Sequence, residues 1–288
     1  MPAASVGSVP GRPEPIRPPA PAAPGFRWGD LRMRVLSAVL LAPAVLACLW
    51  FGAWWWTALL AVAAAGLAVE WVQLCGGRLA SPAGAVVPLA VLAAGAAAVA
   101  DGEMLGVGVV AAGFLLAWGL GGRASLAAGV PYLGLAMVAL AWLRDDGDAG
   151  RANVLFLLLV VWASDIGAYL AGRLVGGPKL APRISPSKTW AGAVGGLIAA
   201  MAVGAAAALA LNGGVVPHIL PVAAGIGLAA QFGDLLESAV KRHYGVKDSG
   251  WLIPGHGGLL DRLDGVLTAA PTAALLAVLA GRGVELWR

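Results

Sequence analysis

The chain has 288 residues, of which 60% are hydrophobic and 12% charged, with a formal net charge of +4. A soluble domain carries roughly a quarter charged residues, so the bilayer is the solvent of this protein; at about 20 apolar residues per crossing, its length leaves no room for a separate soluble catalytic domain. The 42 glycines follow no collagen period and argue for close helix packing in lipid.

Residues 1–30 form a predicted disordered cytoplasmic tail. Eight prolines among Ala, Gly and Ser up to residue 25 cannot bury a core, and no apolar run with a small-residue cleavage site marks a secretory signal. Residues 31–288 are expected to be a single transmembrane catalytic domain. Apolar runs follow at about 35–51, 54–74, 83–100, 104–120, 125–143, 152–172, 190–211, 217–239 and 264–281. The predicted fold is an all-α polytopic membrane protein of about nine transmembrane helices. Trp54, Trp55 and Trp56 suit an interfacial aromatic belt. Cys48 and Cys75 supply neither a disulfide nor a zinc framework and are expected to be core residues.

Lys and Arg accumulate on the cytoplasmic side of membranes. With the N-terminus cytoplasmic and the C-terminus outside, nine crossings leave only Arg144, Arg151, Arg282 and Arg288 of the 19 basic residues on the outer side. The positive charge is therefore topological, and no basic face with interleaved aromatics points to nucleic acid.

All four lysines, Lys179, Lys188, Lys241 and Lys247, fall in two cytoplasmic segments of the motif-bearing half, residues 152–288. The first, Gly172 to Trp190, carries Arg173, Lys179, Arg183 and Lys188 and runs straight into a helix that Ser187 or Thr189 is placed to cap. The second, Glu237 to Asp264, holds Lys241, Arg242, His243, Lys247 and His256 around a glycine-rich stretch. There Asp261 and Asp264 lie three apart, a spacing that puts both carboxylates on one helix face. Asp165 lies eight residues before Arg173 and Asp234 seven before Lys241, which places each about 10–12 Å inside the cytoplasmic boundary. Carboxylates at that depth are costly and mark function. Glu237 adds a third carboxylate to the Asp234 face, whereas Glu70, beside Trp71 and Gln73, fits a helix end at the interface equally well. Acidic clusters ringed by cations suit metal–phosphate chemistry.

The run from Ser238 to Asp264, with Lys241-Arg242, Lys247-Asp248 and Pro254-Gly255-His256-Gly257-Gly258 before Asp261-Arg262 and Asp264, resembles the signature of phosphatidate cytidylyltransferases, or CDP-diacylglycerol synthases. Three further stretches are similar to that family's pattern: Asp165 to Tyr169 with Gly172-Arg173, Leu180 to Thr189, and Gly233-Asp234 with Glu237-Ser238. Ala191 and Gly265 stand where the family commonly has Glu and Ser. The resemblance implies transfer of CMP from CTP to phosphatidate at the cytoplasmic face of the cell membrane, with Mg²⁺ and a second cation such as K⁺. It implies Asp234, Asp261, Asp264 and Asp165 as metal ligands. Lys241, Arg242, His256 and Arg262 are implied as catalytic groups, and Ser185, Lys188, Thr189, Ser238, Lys247 and Asp248 as substrate-binding ones. CTP, phosphatidate and membrane lipid are the expected partners, and a homodimer is compatible with them. The competing readings are a CTP-dependent polyprenol kinase and an ion-coupled transporter; the latter is disfavoured because the polar residues cluster at one face of one half.

Overall fold

The computed structural model describes residues 41–100, 102–121, 123–145, 147–211, 216–250, 257–281 and 284–287. The Pro-rich tail and His256 lie outside these described residues. The chain is built of α1 (Leu41–Phe51), α2 (Ala53–Leu74), α3 (Pro82–Ala100), α4 (Glu103–Gly121), the short α5 (Ala124–Ala127), α6 (Gly129–Asp145), α7 (Gly150–Leu174), α8 (Trp190–Leu211), α9 (Val216–His243) and α10 (Leu260–Ala280). Eight helical segments among the described residues are long and apolar enough to cross a membrane. The shorter apolar α1 begins at the first described residue. The protein is a multi-pass helical membrane protein.

One element departs from the all-α expectation. Between α7 and α8, β1 (Lys179–Ala181) pairs antiparallel with β2 (Ser185–Thr189), Lys179 opposite Thr189 and Ala181 opposite Ser185. Strands of only three and five residues, with Pro182 in the turn and Pro186 inside β2, hide this hairpin from any periodicity. The Ile184 N–H donates to the Ala181 carbonyl (3.1 Å) at the turn, and the Trp190 N–H to the Pro178 carbonyl (3.1 Å) at the base.

Small residues set the helix packing, because in lipid close backbone approach replaces the hydrophobic drive. On α8 the buried Gly192, Gly196, Ala200, Gly204 and Ala208 recur every fourth residue and form one stripe. α8 makes its most extensive contact with α7; a Cβ on Gly196 would come within 2.7 Å of the Ser164 carbonyl. α10 repeats the device with Gly265, Ala269, Ala273 and Ala277. α6 is buried over nearly its whole circumference from Gly129 to Leu143 and forms the central post.

Long-range contacts sort the loops into two ends. At one end the Tyr244 hydroxyl donates to Ser125 Oγ (2.6 Å), the Trp71 indole to the Leu126 carbonyl (3.2 Å) and Arg242 Nε to the Ile184 carbonyl (3.2 Å). At the other, Arg144 Nε donates to the Leu49 carbonyl (3.1 Å), and Asn153 is hydrogen-bonded to the backbone of Val284 and Leu286. Trp54 and Trp55 are exposed, as a belt requires. Trp56, however, is buried with its indole donating to the Leu140 carbonyl (3.1 Å), because it sits on the α2 face that meets α6. Both cysteines are free, and burial pushes the Cys75 thiol above its usual pKa.

Candidate active site

At the hairpin end of the bundle, α7, the hairpin, α8, α9 and the start of α10 enclose a cavity of about 720 Å³. α7 contributes Asp165, Ala168, Tyr169, Gly172 and Arg173, which lie on one face because their offsets follow the 3.6-residue period. α9 contributes Gln231, Asp234, Glu237 and Lys241 on a similar stripe, and α10 contributes Asp261, Arg262 and Asp264. Six carboxylates (Asp165, Asp234, Glu237, Asp248, Asp261, Asp264) face four cations (Arg173, Lys188, Lys241, Arg262), an excess of acid in a partly dehydrated space.

Asp234, Glu237 and Asp264 form a tight acidic group, each offering a carboxylate oxygen within 4.8 Å of the others. Glu237 is 1% exposed, and its Oε1 has no hydrogen-bond partner among the described residues. Its Oε2 accepts from Lys241 Nζ at 3.0 Å. Asp264 Oδ1 accepts the Gly265 N–H at 2.7 Å. A buried carboxylate oxygen with no donor is expensive unless a ligand completes it, and hard oxygen donors at this spacing fit a hard divalent cation.

Asp261 is placed differently. Its Oδ1 is ion-paired with Lys241. Its Oδ2 accepts the Ser249 N–H (3.0 Å), the Ser249 hydroxyl (3.0 Å) and the Gly258 N–H (2.8 Å). Both oxygens are thus committed to protein donors. Although Asp261 and Asp264 both lie in the opening turns of α10, only Asp264 joins the acidic group. Asp165 stands across the cavity on α7.

From the hairpin, Lys188 Nζ reaches Asp234 Oδ2 at 2.5 Å, with both side chains partly exposed. Thr189 is buried, and its hydroxyl accepts the Gly192 N–H at 3.0 Å, so Thr189, not Ser187, caps α8. Arg242 lies on the outer side of α9, tying the hairpin turn at Ile184 and the Val246 carbonyl. Arg242, Ser185, Ser238 and Lys247 are not among the residues lining the cavity, whereas Asp248 is.

Of the lining residues, Tyr169 and Arg173 belong to the α7 stretch singled out in the sequence, whereas Gln231 carried little signal there. Arg173 donates to the Tyr169 hydroxyl (2.9 Å) one turn away. Gln231 Nε2 donates to Ser164 Oγ (3.3 Å) and the Ala193 carbonyl (3.1 Å), which joins α7, α8 and α9 at the cavity floor. The i, i+3 spacing of Gln231 to Asp234 was the available cue.

A model of the cytidylyltransferase family matches residues 32–280. The chain belongs to the cytidylyltransferase family. This cytidylyltransferase, a nucleotidyltransferase, is 41% identical over 249 residues to the phosphatidate cytidylyltransferases of Brucella suis and Brucella abortus, a match that covers 84% of this chain and 91% of each relative. It is also 41% identical over 150 residues to the phosphatidate cytidylyltransferase of Staphylococcus saprophyticus, covering 52% of this chain and 56% of that one. The family match runs from before α1 to the end of α10, so the N-terminal helices are part of the cytidylyltransferase and not an appendage.

Proposed function

We propose that this cytidylyltransferase transfers CMP from CTP to phosphatidate, giving CDP-diacylglycerol and pyrophosphate, and that the cavity between the hairpin and α10 is where it does so. The observation that carries the assignment of the site is the trio Asp234, Glu237 and Asp264 within 4.8 Å of one another, set among cationic side chains.

In this reaction a phosphate oxygen of phosphatidate attacks the α-phosphorus of CTP while the bond from that phosphorus to the bridging oxygen breaks and pyrophosphate leaves. A phosphate monoester has its second pKa at about 6, so the nucleophile needs no strong base. The obstacle is repulsion between two anions, and the site's work is positioning and charge neutralisation. Asp234, Glu237 and Asp264 would hold Mg²⁺, with Asp165 facing them and K⁺ as a second cation. Bound there, the metal supplies Lewis-acid neutralisation of the phosphate oxygens. Lys188, Arg173 and Arg262 are placed to hold phosphate oxygens; Lys188 exchanges its contact with Asp234 for one with substrate. Thr189 fixes the N-terminus of α8, whose positive end favours an anion. Lys241 holds Glu237 and Asp261 in place. Arg242 anchors the hairpin from outside, and Ser185, Ser238 and Lys247, outside the lining, would meet parts of the substrates that extend beyond the cavity. His256 retains a role as a hydrogen-bond donor to a phosphoryl oxygen.

The cavity opens at the end that gathers Arg78, Arg123, Arg173, Lys179 and Lys247, and the bias of basic residues toward the cytoplasm supports reading that end as the cytoplasmic face of the cell membrane. Beside it, Ile166, Tyr169, Leu170 and Leu174 of α7 are exposed. Diacyl chains can therefore stay in lipid while the phosphate head enters the polar space.

Purified protein in detergent with phosphatidate, CTP and Mg²⁺ is expected to yield CDP-lipid and pyrophosphate in equal amounts. Neither product from folded protein overturns the reading. Lipid phosphorylated from the γ-phosphate of CTP would replace it with a kinase.

A further inference from the structure

Glu70 lies on α2, in the half of the chain without signature motifs, and it is fully buried. Its Oε1 accepts the Leu259 N–H and its Oε2 the Leu260 N–H, both at 2.8 Å. The opening N–H groups of a helix have no partner within it and carry its positive end. Here α10 has no side-chain cap of its own at Leu259. A carboxylate almost 190 residues upstream takes that place.

The chain on either side of residues 251–256 is shaped around this carboxylate. A Cβ on Gly250 would lie 2.9 Å from Glu70 Cδ, and one on Gly258 would lie 2.6 Å from Glu70 Oε2 and collide with Ser249 Oγ. Only glycine lets both backbones approach so closely. The Ser249 hydroxyl sits 3.5 Å from Glu70 Oε2 and 3.0 Å from Asp261 Oδ2, between the two carboxylates. From Asp261 the contacts continue through Lys241 to Glu237 Oε2. Asp264 rides on the same first turns of α10 that Glu70 holds.

We propose that Glu70 is a positioning residue for the cytidylyl-transfer site: by clamping the N-terminus of α10 from α2, it sets where Asp264 and, through Asp261 and Lys241, Glu237 stand toward a divalent cation. The proposal rests on the reading of the cavity given above. It assigns to the N-terminal half a specific task in the chemistry of the C-terminal half. Residues that orient the groups around a metal typically change metal affinity or turnover about 10- to 100-fold when altered.

The test is Glu70→Gln in the full-length protein. The amide keeps one acceptor but turns an NH₂ toward the second backbone N–H. Three measurements read it: amide hydrogen exchange at Leu259 and Leu260, Mn²⁺ binding by electron paramagnetic resonance, and kcat against KM for CDP-lipid formation. The expected result is faster exchange at those two amides, Mn²⁺ affinity lower by about 10-fold or more, kcat lower by about 10- to 100-fold, and KM for CTP within about twofold of wild type. Ser249→Ala, which leaves α2 untouched, is expected to weaken Mn²⁺ binding in the same direction by a smaller factor, and it decides the matter if Glu70→Gln does not fold. Wild-type Mn²⁺ affinity in whichever of the two variants folds overturns the proposal, as does unchanged exchange at Leu259 and Leu260 in Glu70→Gln. Mn²⁺ binding and exchange need no turnover. A wild-type protein that binds Mn²⁺ yet makes no CDP-lipid sinks the functional reading alone.

Discussion

Two groups of carboxylates meet around the start of α10 and are used in opposite ways. In the cavity wall, Asp234, Glu237 and Asp264 crowd together, and the Glu237 Oε1 has no donor among the described residues. A turn away, at the junction of the signature segment with α10, Glu70 and Asp261 have both oxygens occupied by backbone N–H, hydroxyl or ammonium donors. The residue type is nearly the same, but the supply of donors differs. Where donors suffice, the carboxylate fixes backbone. Where they fall short, the carboxylates are the ones proposed above to hold a cation.

The largest effect should come from the acidic trio. Asp264→Asn or Asp234→Asn is expected to lower kcat by about 100- to 1,000-fold and to abolish saturable Mn²⁺ binding, with little change in thermal unfolding, as read by CDP-lipid assays and melting curves on the same preparations. Lys241→Met tests the bridge between the groups. It leaves Glu237 and Asp261 without their shared cation, and because that ion pair is largely buried the expected loss is about 3 kcal/mol, the lower end for a broken buried pair, measured by unfolding in detergent. Asp261→Asn should be milder than Asp264→Asn, with kcat down about 10- to 100-fold and Mn²⁺ still bound. Loss of all Mn²⁺ binding in this variant would make Asp261 a ligand and erase the division. The smallest effect belongs to Thr189, a cap supplied locally where α10 relies on a remote one: Thr189→Ala should cost about 1 kcal/mol in unfolding free energy and leave Mn²⁺ affinity unchanged.

Much of this was legible in the sequence. Apolar runs near 20 residues gave the helices, because a span must satisfy its backbone internally, and the helical offsets from Asp165 to Arg173 and from Asp234 to Lys241 put each pair on one face, where the structure has both pairs lining the cavity. The hairpin was not legible, since a Pro-interrupted pair of very short strands has no alternation to detect. Nor was the separation of Asp261 from Asp264. Their i, i+3 spacing puts them on one face, and only the N–H groups of Ser249 and Gly258, brought up by the chain before α10, draw Asp261 away. Glu70 stayed evenly balanced in the sequence, because its partners are backbone amides at Leu259 and Leu260. Trp56 looked like its neighbours Trp54 and Trp55 but faces α6. In each case the deciding partner lies on another element.

The central claim, that the cavity under the hairpin is where cytidylyl transfer occurs, is tested most directly by incubating wild type and Asp264→Asn with phosphatidate, Mg²⁺ and CTP labelled at the α-phosphate. The account predicts label in lipid for the wild type and almost none for a folded, equally monodisperse Asp264→Asn. Label transferred by the variant at the wild-type rate would contradict it.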